Sequence, residues 1–348
     1  MTNRIVEEDL QAITSASLPW SKLHGKTVLV TGANGFLPAY LVQSLLHLSQ
    51  RGEQIRVVGL VRNEEKARQR FAHLEGRSDL CLVVQDVSQP LELDEHVDFI
   101  IHAASQASPK FYGSDPVGTL SANVAGTGHL LELARKHEVE SFLFFSSSEV
   151  YGQLTPEQVP TKEDEGGWLD PTFVRSCYAQ SKRMGETMCV SWHHQFAVPA
   201  KIVRPFHTYG PGMSLDDGRV FADFVADIVC GRNIIMKSDG RATRAFCYLS
   251  DATMGFFRVL LEGENGQAYN IGNDRGEVSI VDLAGRLVKL FPEKELQVVQ
   301  QPVPASPSGY LQSAVSRSCP DISKARALGW EPTTGVEEGF KRTIESFQ

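Results

Sequence analysis

The chain has 348 residues, 42% of them hydrophobic and 22% charged, with a formal net charge of −8 at pH 7. That length buries one large core or two unequal ones without disulfide or metal staples, and the composition is that of a soluble globular protein. The acidic balance argues against a nucleic-acid or membrane surface as partner, while leaving room for a small anionic ligand held by local arginines. Six cysteines (Cys81, Cys177, Cys189, Cys230, Cys247 and Cys319) are scattered with no Cys-x-x-Cys pair, and they read as reduced, buried thiols. The N-terminus carries Glu7, Glu8 and Asp9 rather than a basic apolar leader, and no apolar run reaches membrane-spanning length. A cytoplasmic location is the expectation.

Residues 1–24 read as an N-terminal arm, with a short helix over 7–15 and a Trp20 that packs on the core. Residues 26–38, KTVLVTGANGFLP, form an apolar strand that runs straight into a glycine turn. The amphipathic stretch 39–50 follows, with Leu41, Leu45 and Leu48 on one face. Further apolar strands are predicted over 55–61, 80–85, 97–102 and 141–145, with helices over 64–74 and 123–137 between them. A helix over 177–190 leads to a sixth strand over 200–203. Strands separated by helices at this spacing predict an α/β fold, a Rossmann-type doubly wound parallel sheet covered on both faces. Beyond Pro205 the pattern loosens into a Gly/Pro-rich loop (209–218), helices over 220–230, 250–261, 281–290 and 321–328, and short strands over 234–236, 246–249 and 297–300. A smaller, discontinuous C-terminal lobe threaded through the second half fits this pattern.

The glycine turn is built to receive a pyrophosphate. Gly32 permits the tight turn, Gly35 permits close approach, and the first amides of the next helix face the anion. The third glycine of the usual pattern is replaced by Pro38, which a first helical turn tolerates. Tyr178 and Lys182 lie one helical turn apart and leave the same face. A phenol is a poor base at neutral pH, and an ammonium beside it is expected to lower its pKa. His193-His194 lacks cysteine or carboxylate partners at ligand spacing, so no metal site is expected. Arg62 stands at the end of the second strand, where an acid would bond a ribose 2′-hydroxyl; an arginine there suits a 2′-phosphate, or is a plain solvated charge.

With both signatures in view, the chain resembles the extended short-chain dehydrogenase/reductase superfamily, in its nucleotide-sugar epimerase/dehydratase branch. The resemblance runs from about residue 26 to residue 332. It rests on TGANGF, Asp86-Val87, HAAS (102–105), NVAGT (123–127), SSSEVYG (146–152), Tyr178-x-x-x-Lys182, RPFHTYGP (204–211) and RAFCYLSD (244–251). Within that branch the stretches ASQASP, SSSEVYG, RSCY and MSLDDGRV (213–220) are most similar to UDP-glucuronate decarboxylases.

Carried over, the resemblance implies Gly32, Gly35, Phe36 and Leu37 around the pyrophosphate and Asp86 and Val87 at the adenine. It implies Ala103, Ala104 and Ser105 beside the nicotinamide, and Lys182 on the ribose. Tyr178, Lys182, Ser147 and Glu149 would be catalytic. Ser148, Arg204, His207, Arg219, Arg244 and Arg317 would face the substrate. Bland readings stay open beside these: Asp86 or Glu149 as caps, Arg244 as a surface ion pair, His207 as a structural histidine. The implied domains are 25–203 plus 247–272 for the dinucleotide and 204–246 plus 273–348 for the nucleotide sugar. A homodimer is implied through the helices at 123–137 and 178–190.

The implied chemistry is a transient oxidation at the sugar C4, with NAD by family habit or NADP by Arg62. A C5 carboxylate then makes decarboxylation easy, return of hydride to the other face gives a C4 epimer, and loss of the C6 hydroxyl gives a 4,6-dehydratase. Dehydratases of this branch carry an Asp where this chain has Ser148, and the Ser-Glu order matches the decarboxylases. Departures from the decarboxylase pattern surround the sugar and diphosphate: His207 replaces an Asn, Gly212 an Arg, and Ala-Gln-Ser an acidic, glycine-bearing triplet after Tyr178. Arg317 stands out of register with the arginine those enzymes use. Decarboxylation is therefore the leading expectation and C4 epimerisation the alternative, ahead of dehydration, net reduction or a non-catalytic dinucleotide sensor.

Overall fold

Strands apolar on both faces need cover on both faces, and the sheet at the centre of this protein is made of them. The computed structural model describes residues 3–301 and 315–348. Its strands are β1 (Thr27–Thr31), β2 (Arg56–Val61), β3 (Leu80–Val84), β4 (Phe99–His102), β5 (Ser141–Phe145), β6 (Ala200–Pro205), β7 (His207–Tyr209), β8 (Ile234–Met236), β9 (Thr243–Tyr248), β10 (Ala268–Ile271), β11 (Glu277–Ser279), β12 (Val298–Gln300) and β13 (Arg317–Ser318). Seven of them form one sheet in the order β10-β6-β5-β4-β1-β2-β3, and every pairing in it is parallel. The chain winds outward from β1 in one direction and resumes at β4 in the other. The crevice therefore opens where Thr31 lies beside His102, at the strands' carboxyl ends.

The helices are α1 (Arg4–Ser15), α2 (Phe36–Leu48), α3 (Glu64–Arg70), α4 (Pro109–Ser114), α5 (Pro116–Lys136), α6 (Ser176–Phe196), α7 (Val220–Val229), α8 (Leu249–Glu262), α9 (Ile280–Leu290), α10 (Ser323–Ala327) and α11 (Val336–Glu345). One core gathers α1, α2 and α8 on one face of the sheet, through Ile13, Leu41, Leu45, Phe256 and Leu260. A second joins α5 and α6 on the opposite face, through Leu130, Leu131, Leu133 and Cys189. A third, built from Phe221, Phe224, Phe246, Leu283, Leu287 and Phe340, fills the smaller lobe. There β9 is central, antiparallel to β11 and parallel to β7 and β13, while β8 pairs with β12.

Two expected boundaries are corrected by packing. Within the N-terminal arm, α1 starts three residues before its expected position, capped by Asn3, and Trp20 packs on the core as the sequence predicts, edge-on against Phe257. In the segment assigned wholly to the smaller lobe, Ile322, Ala325 and Trp330 join the core of the main sheet instead. Trp330 Nε1 donates to the Asp251 carbonyl at 2.9 Å, and its ring lies close against Gly255. Helix α5 begins seven residues earlier than expected, because Asp115 caps it (Gly118 N–H at 3.0 Å) and Pro116 occupies its first turn.

Both ends of the chain close on one buried carboxylate. Asp9 accepts hydrogen bonds from Tyr248 (2.8 Å), Tyr40 (3.1 Å) and the Arg342 guanidinium (2.8 Å), tying α1, α2, β9 and α11 together. Replacing Arg342 by Leu leaves that carboxylate buried without its cation, and should cost about 3 kcal/mol in urea unfolding. Adding Asp9→Asn to that variant should recover part of the loss.

Candidate active site

A cleft of about 460 Å³ lies between the carboxyl ends of the main sheet and the smaller lobe. Its wall contains Gly32, Gly35, Phe36, Leu37, Ala103, Ser105, Ser147, Ser148, Glu149, Tyr178, Lys182, His207, Arg219, Arg244 and Arg317, all of them anticipated from sequence. Gly32 has φ +64°, and a Cβ there would come within 2.8 Å of the Ala104 Cα. Only glycine allows both that backbone and that approach. Gly35 caps α2 with no side-chain hydrogen bond, which leaves the first amides of the helix for an anion.

Behind this turn runs a chain of buried hydrogen bonds whose direction can be derived. Thr127 Oγ1 donates to the Asn123 carbonyl (2.6 Å), so it accepts from His102 Nε2 (3.1 Å). His102 is neutral, since burial and then the Lys182 charge pull its pKa down to about 3. Its Nδ1 is therefore an acceptor for Thr31 Oγ1 (2.9 Å), which in turn accepts from the Ala104 N–H (3.1 Å). Ala104 is outside the cleft lining itself and acts through this anchored contact with Gly32.

Helix α6 presents Tyr178 and Lys182 to the cleft, both almost fully buried. Lys182 Nζ donates to the Phe145 carbonyl at 2.6 Å and lies 5.0 Å from the Phe144 ring centre. Burial lowers its pKa to about 7. The expected lowering of Tyr178 does not occur. Burial raises the phenol to about 12, against which a hydrogen bond with Ser147 acts, and Lys182 is not among the groups shifting it. Desolvation outweighs the Ser147 hydrogen bond and the Arg219 charge.

Two functional side chains were missed in the sequence. Tyr112 on α4 stacks on Tyr178 with ring centres 4.9 Å apart and planes at 14°, its hydroxyl bound to the Ala107 carbonyl at 2.9 Å. Arg175, at the cap of α6, grips the Glu149 carboxylate through both terminal nitrogens (3.1 and 3.2 Å) and lies over the Tyr112 ring. The RSCY stretch contains Arg175 three residues before Tyr178 and was the available signal. Tyr112 had none, since α4 is too short for its period to show.

Arg204 is not brought to the cleft. It is paired with both carboxylate oxygens of Glu186 (2.8 and 2.7 Å) and bonded to the Tyr151 hydroxyl and the Glu163 carbonyl. Asp86 holds a turn, accepting from the Ser88 N–H at 2.9 Å, and Val87 is buried beneath Gly126. Arg62 is exposed at the end of β2, where its charge acts on Asp86 and Asp115. Arg244 donates to the carbonyls of Thr243, Val315 and Ser316, Arg219 pairs with Asp217, and Arg317 is forked onto Glu277 at 2.8 and 3.0 Å. Among the described residues no group of three histidine, cysteine or acidic side chains could hold a metal ion.

The family model for the NAD dependent epimerase/dehydratase family matches residues 28–272. The chain belongs to that family. UDP-glucuronic acid decarboxylase 6 of Arabidopsis thaliana is 37% identical over 323 residues, covering 92% of this chain and 88% of that protein. UDP-glucuronic acid decarboxylase 1 of Xenopus tropicalis is 36% identical over 329 residues, covering 93% of this chain and 72% of that protein. Among solved structures, a UDP-glucuronic acid 4-epimerase of Bacillus cereus, in complex with UDP-glucuronic acid and NAD, superposes with a TM-score of 0.76 at 26% identity. That match covers 92% of this chain and 98% of the epimerase. The cradle fits the family's dinucleotide: the turn packs too tightly at Gly32 and Gly35 for any Cβ, no side chain caps the first amides of α2, and Ser105 Oγ is buried in the cleft wall without a hydrogen-bond partner among the described residues.

Gly32→Ala combines a left-handed backbone with a clash. It should lower stability by about 2 kcal/mol and abolish NAD binding, read by denaturant unfolding and fluorescence titration. Lys182 gives a prediction of opposite sign. Its folded pKa is depressed to about 7, below the unfolded value of about 10.4, so the unfolded chain binds more protons between those limits and stability rises with pH across them. Lys182→Met should therefore melt higher than the parent at pH 7, with the gap closing by about pH 10, while turnover is lost.

Proposed function

We propose that this protein is an NAD-dependent UDP-glucuronate decarboxylase that works through transient oxidation of the sugar C4. The observation that carries this reading is the convergence of Tyr178, Ser147, Lys182 and Glu149 on one cleft wall beside the Gly32 cradle. Bound NAD supplies the hydride acceptor, and later the donor, at that carbon. Gly32, Gly35, Phe36 and Leu37 would hold its pyrophosphate and Lys182 its ribose. Tyr178 would take the O4 proton as its phenolate, the form that the positive charge of a bound oxidised nicotinamide would favour against burial, with Ser147 bonded to the same oxygen. The stack on Tyr112 restrains the phenol ring for that transfer. The resulting 4-keto uronate is a β-keto acid, which loses carbon dioxide to leave a C4–C5 enolate; a proton taken up at C5, then hydride at C4 and the Tyr178 proton at O4, give the UDP-pentose.

Dehydration would need an acid for the C6 hydroxyl. Ser148 is a poor one, and Glu149 is committed to Arg175. NAD is favoured over NADP because the Arg62 charge is already shared with Asp86 and Asp115, which would oppose a 2′-phosphate. The second reading, C4 epimerisation of UDP-glucuronate, is supported by the likeness to the Bacillus cereus epimerase.

We also propose a homodimer through α5 and α6, which leave Val117, Leu120, Met184 and Val190 exposed. A reducing, cytoplasmic setting accords with six unpaired cysteines. No helix among the described residues is long and apolar enough to cross a membrane. Division into a dinucleotide half and a sugar-nucleotide half is supported by the separate core of the smaller lobe.

Incubation with NAD and UDP-glucuronate should release carbon dioxide and UDP-pentose, followed by NMR. UDP-galacturonate instead would favour the second reading, and neither product would overturn both. Tyr178→Phe should cut turnover about 10³-fold while NAD still binds. Leu120→Glu with Met184→Glu should shift sedimentation to the monomer.

A further inference from the structure

His207 lines the cleft, and the reaction above does not use its chemistry. It sits on β7 with its ring edge-on to Phe246, and its Nδ1 is buried without a hydrogen-bond partner among the described residues. Two cations of the same cleft wall act on it: Arg244 from β9, the strand paired with β7, and Arg219 from the turn that precedes α7. Asp251 of α8 and Glu337 of α11 act on Tyr209, two residues along β7. Burial first, then the two arginines, keep the imidazole well below its ordinary pKa, so it is neutral in the free protein.

That arrangement changes sign when an anion enters. A diphosphate between Arg219 and Arg244 cancels the charges that disfavour the imidazolium, and adds an acceptor beside the ring. We infer that His207 is a proton-coupled diphosphate ligand: it takes up a proton as a nucleoside diphosphate sugar binds, and holds the diphosphate as a cation. The inference rests on the nucleotide-sugar reading of the cleft, and adds a binding role in which the histidine replaces the Asn of the decarboxylase pattern. The linkage has a fixed direction. The bound-state pKa lies above the free one, so affinity rises as pH falls through the bound value, by up to tenfold per pH unit.

Calorimetric titration of the NAD-saturated protein with UDP-glucose, in two buffers of different ionisation enthalpy, counts the protons. The ligand is a diphosphate diester with no group titrating near neutrality. Uptake should grow toward one proton as the pH is lowered from about 8 to 6. H207N and H207Q should bind the same ligand with that uptake removed and with a flat pH profile. In ¹⁵N-histidine-labelled parent protein, one imidazole should pass from the neutral to the cationic shift pattern on ligand addition, which needs no variant to fold. Binding without uptake, or uptake that persists in both variants because Lys182 takes the proton, overturns the inference and leaves the functional reading intact. Failure of UDP-, dTDP-, GDP- and CDP-glucose and of UDP-glucuronate to bind at all overturns both.

Discussion

Removal of water from the cleft is the constraint on which the rest of the site depends. It holds the Tyr178 phenol protonated at about 12, brings the Lys182 ammonium down to about 7, and keeps His102 and His207 neutral. Each of these shifts is set by packing. Lys182 is the sharpest instance. Its charge has a backbone carbonyl and the face of Phe144 for company, so folding keeps it at a thermodynamic disadvantage. Such a cost is common where a polar group is held ready for a ligand.

The cradle and the proton-transfer pair are joined by one continuous framework. From Ala104 through Thr31, His102 and Thr127 to Asn123, every hydrogen bond has a defined donor and acceptor. Asn123 Nδ2 then donates to Ser181 Oγ at 2.9 Å, next to Lys182 on α6. The glycine turn and the catalytic helix are thereby indexed to the same buried residues. Asn123 Oδ1 is itself buried without a partner among the described residues, but the links on either side of it hold the two elements in register, which a hydride-transfer geometry needs.

The smaller lobe contributes charge to the cleft. Arg219, Arg244 and Arg317 all reach the cleft, but each is also tethered: to Asp217, to backbone carbonyls and to Glu277. Arg175 and Glu149 form a similar tether within the main domain. Tethering orients a guanidinium before an anion arrives, which lowers the ordering cost of binding. His207 stands among these cations as the group able to change its own charge.

The parallel sheet, its glycine turn and the placement of Tyr178 and Lys182 on one helix face were legible in the sequence, because period and backbone permission are local properties. So was most of the cleft lining, through motifs that sit at strand ends where a parallel sheet must open. Tertiary structure alone decided the rest. It turned Arg204 away to Glu186, since an arginine motif does not reveal a carboxylate eighteen residues upstream. It brought Tyr112 onto Tyr178 and Arg175 onto Glu149, and it packed α1 and Trp330 into the main core. It also reversed the expected shift of Tyr178, because a spacing of four along a helix specifies proximity to a charge but not how much water the fold leaves around it.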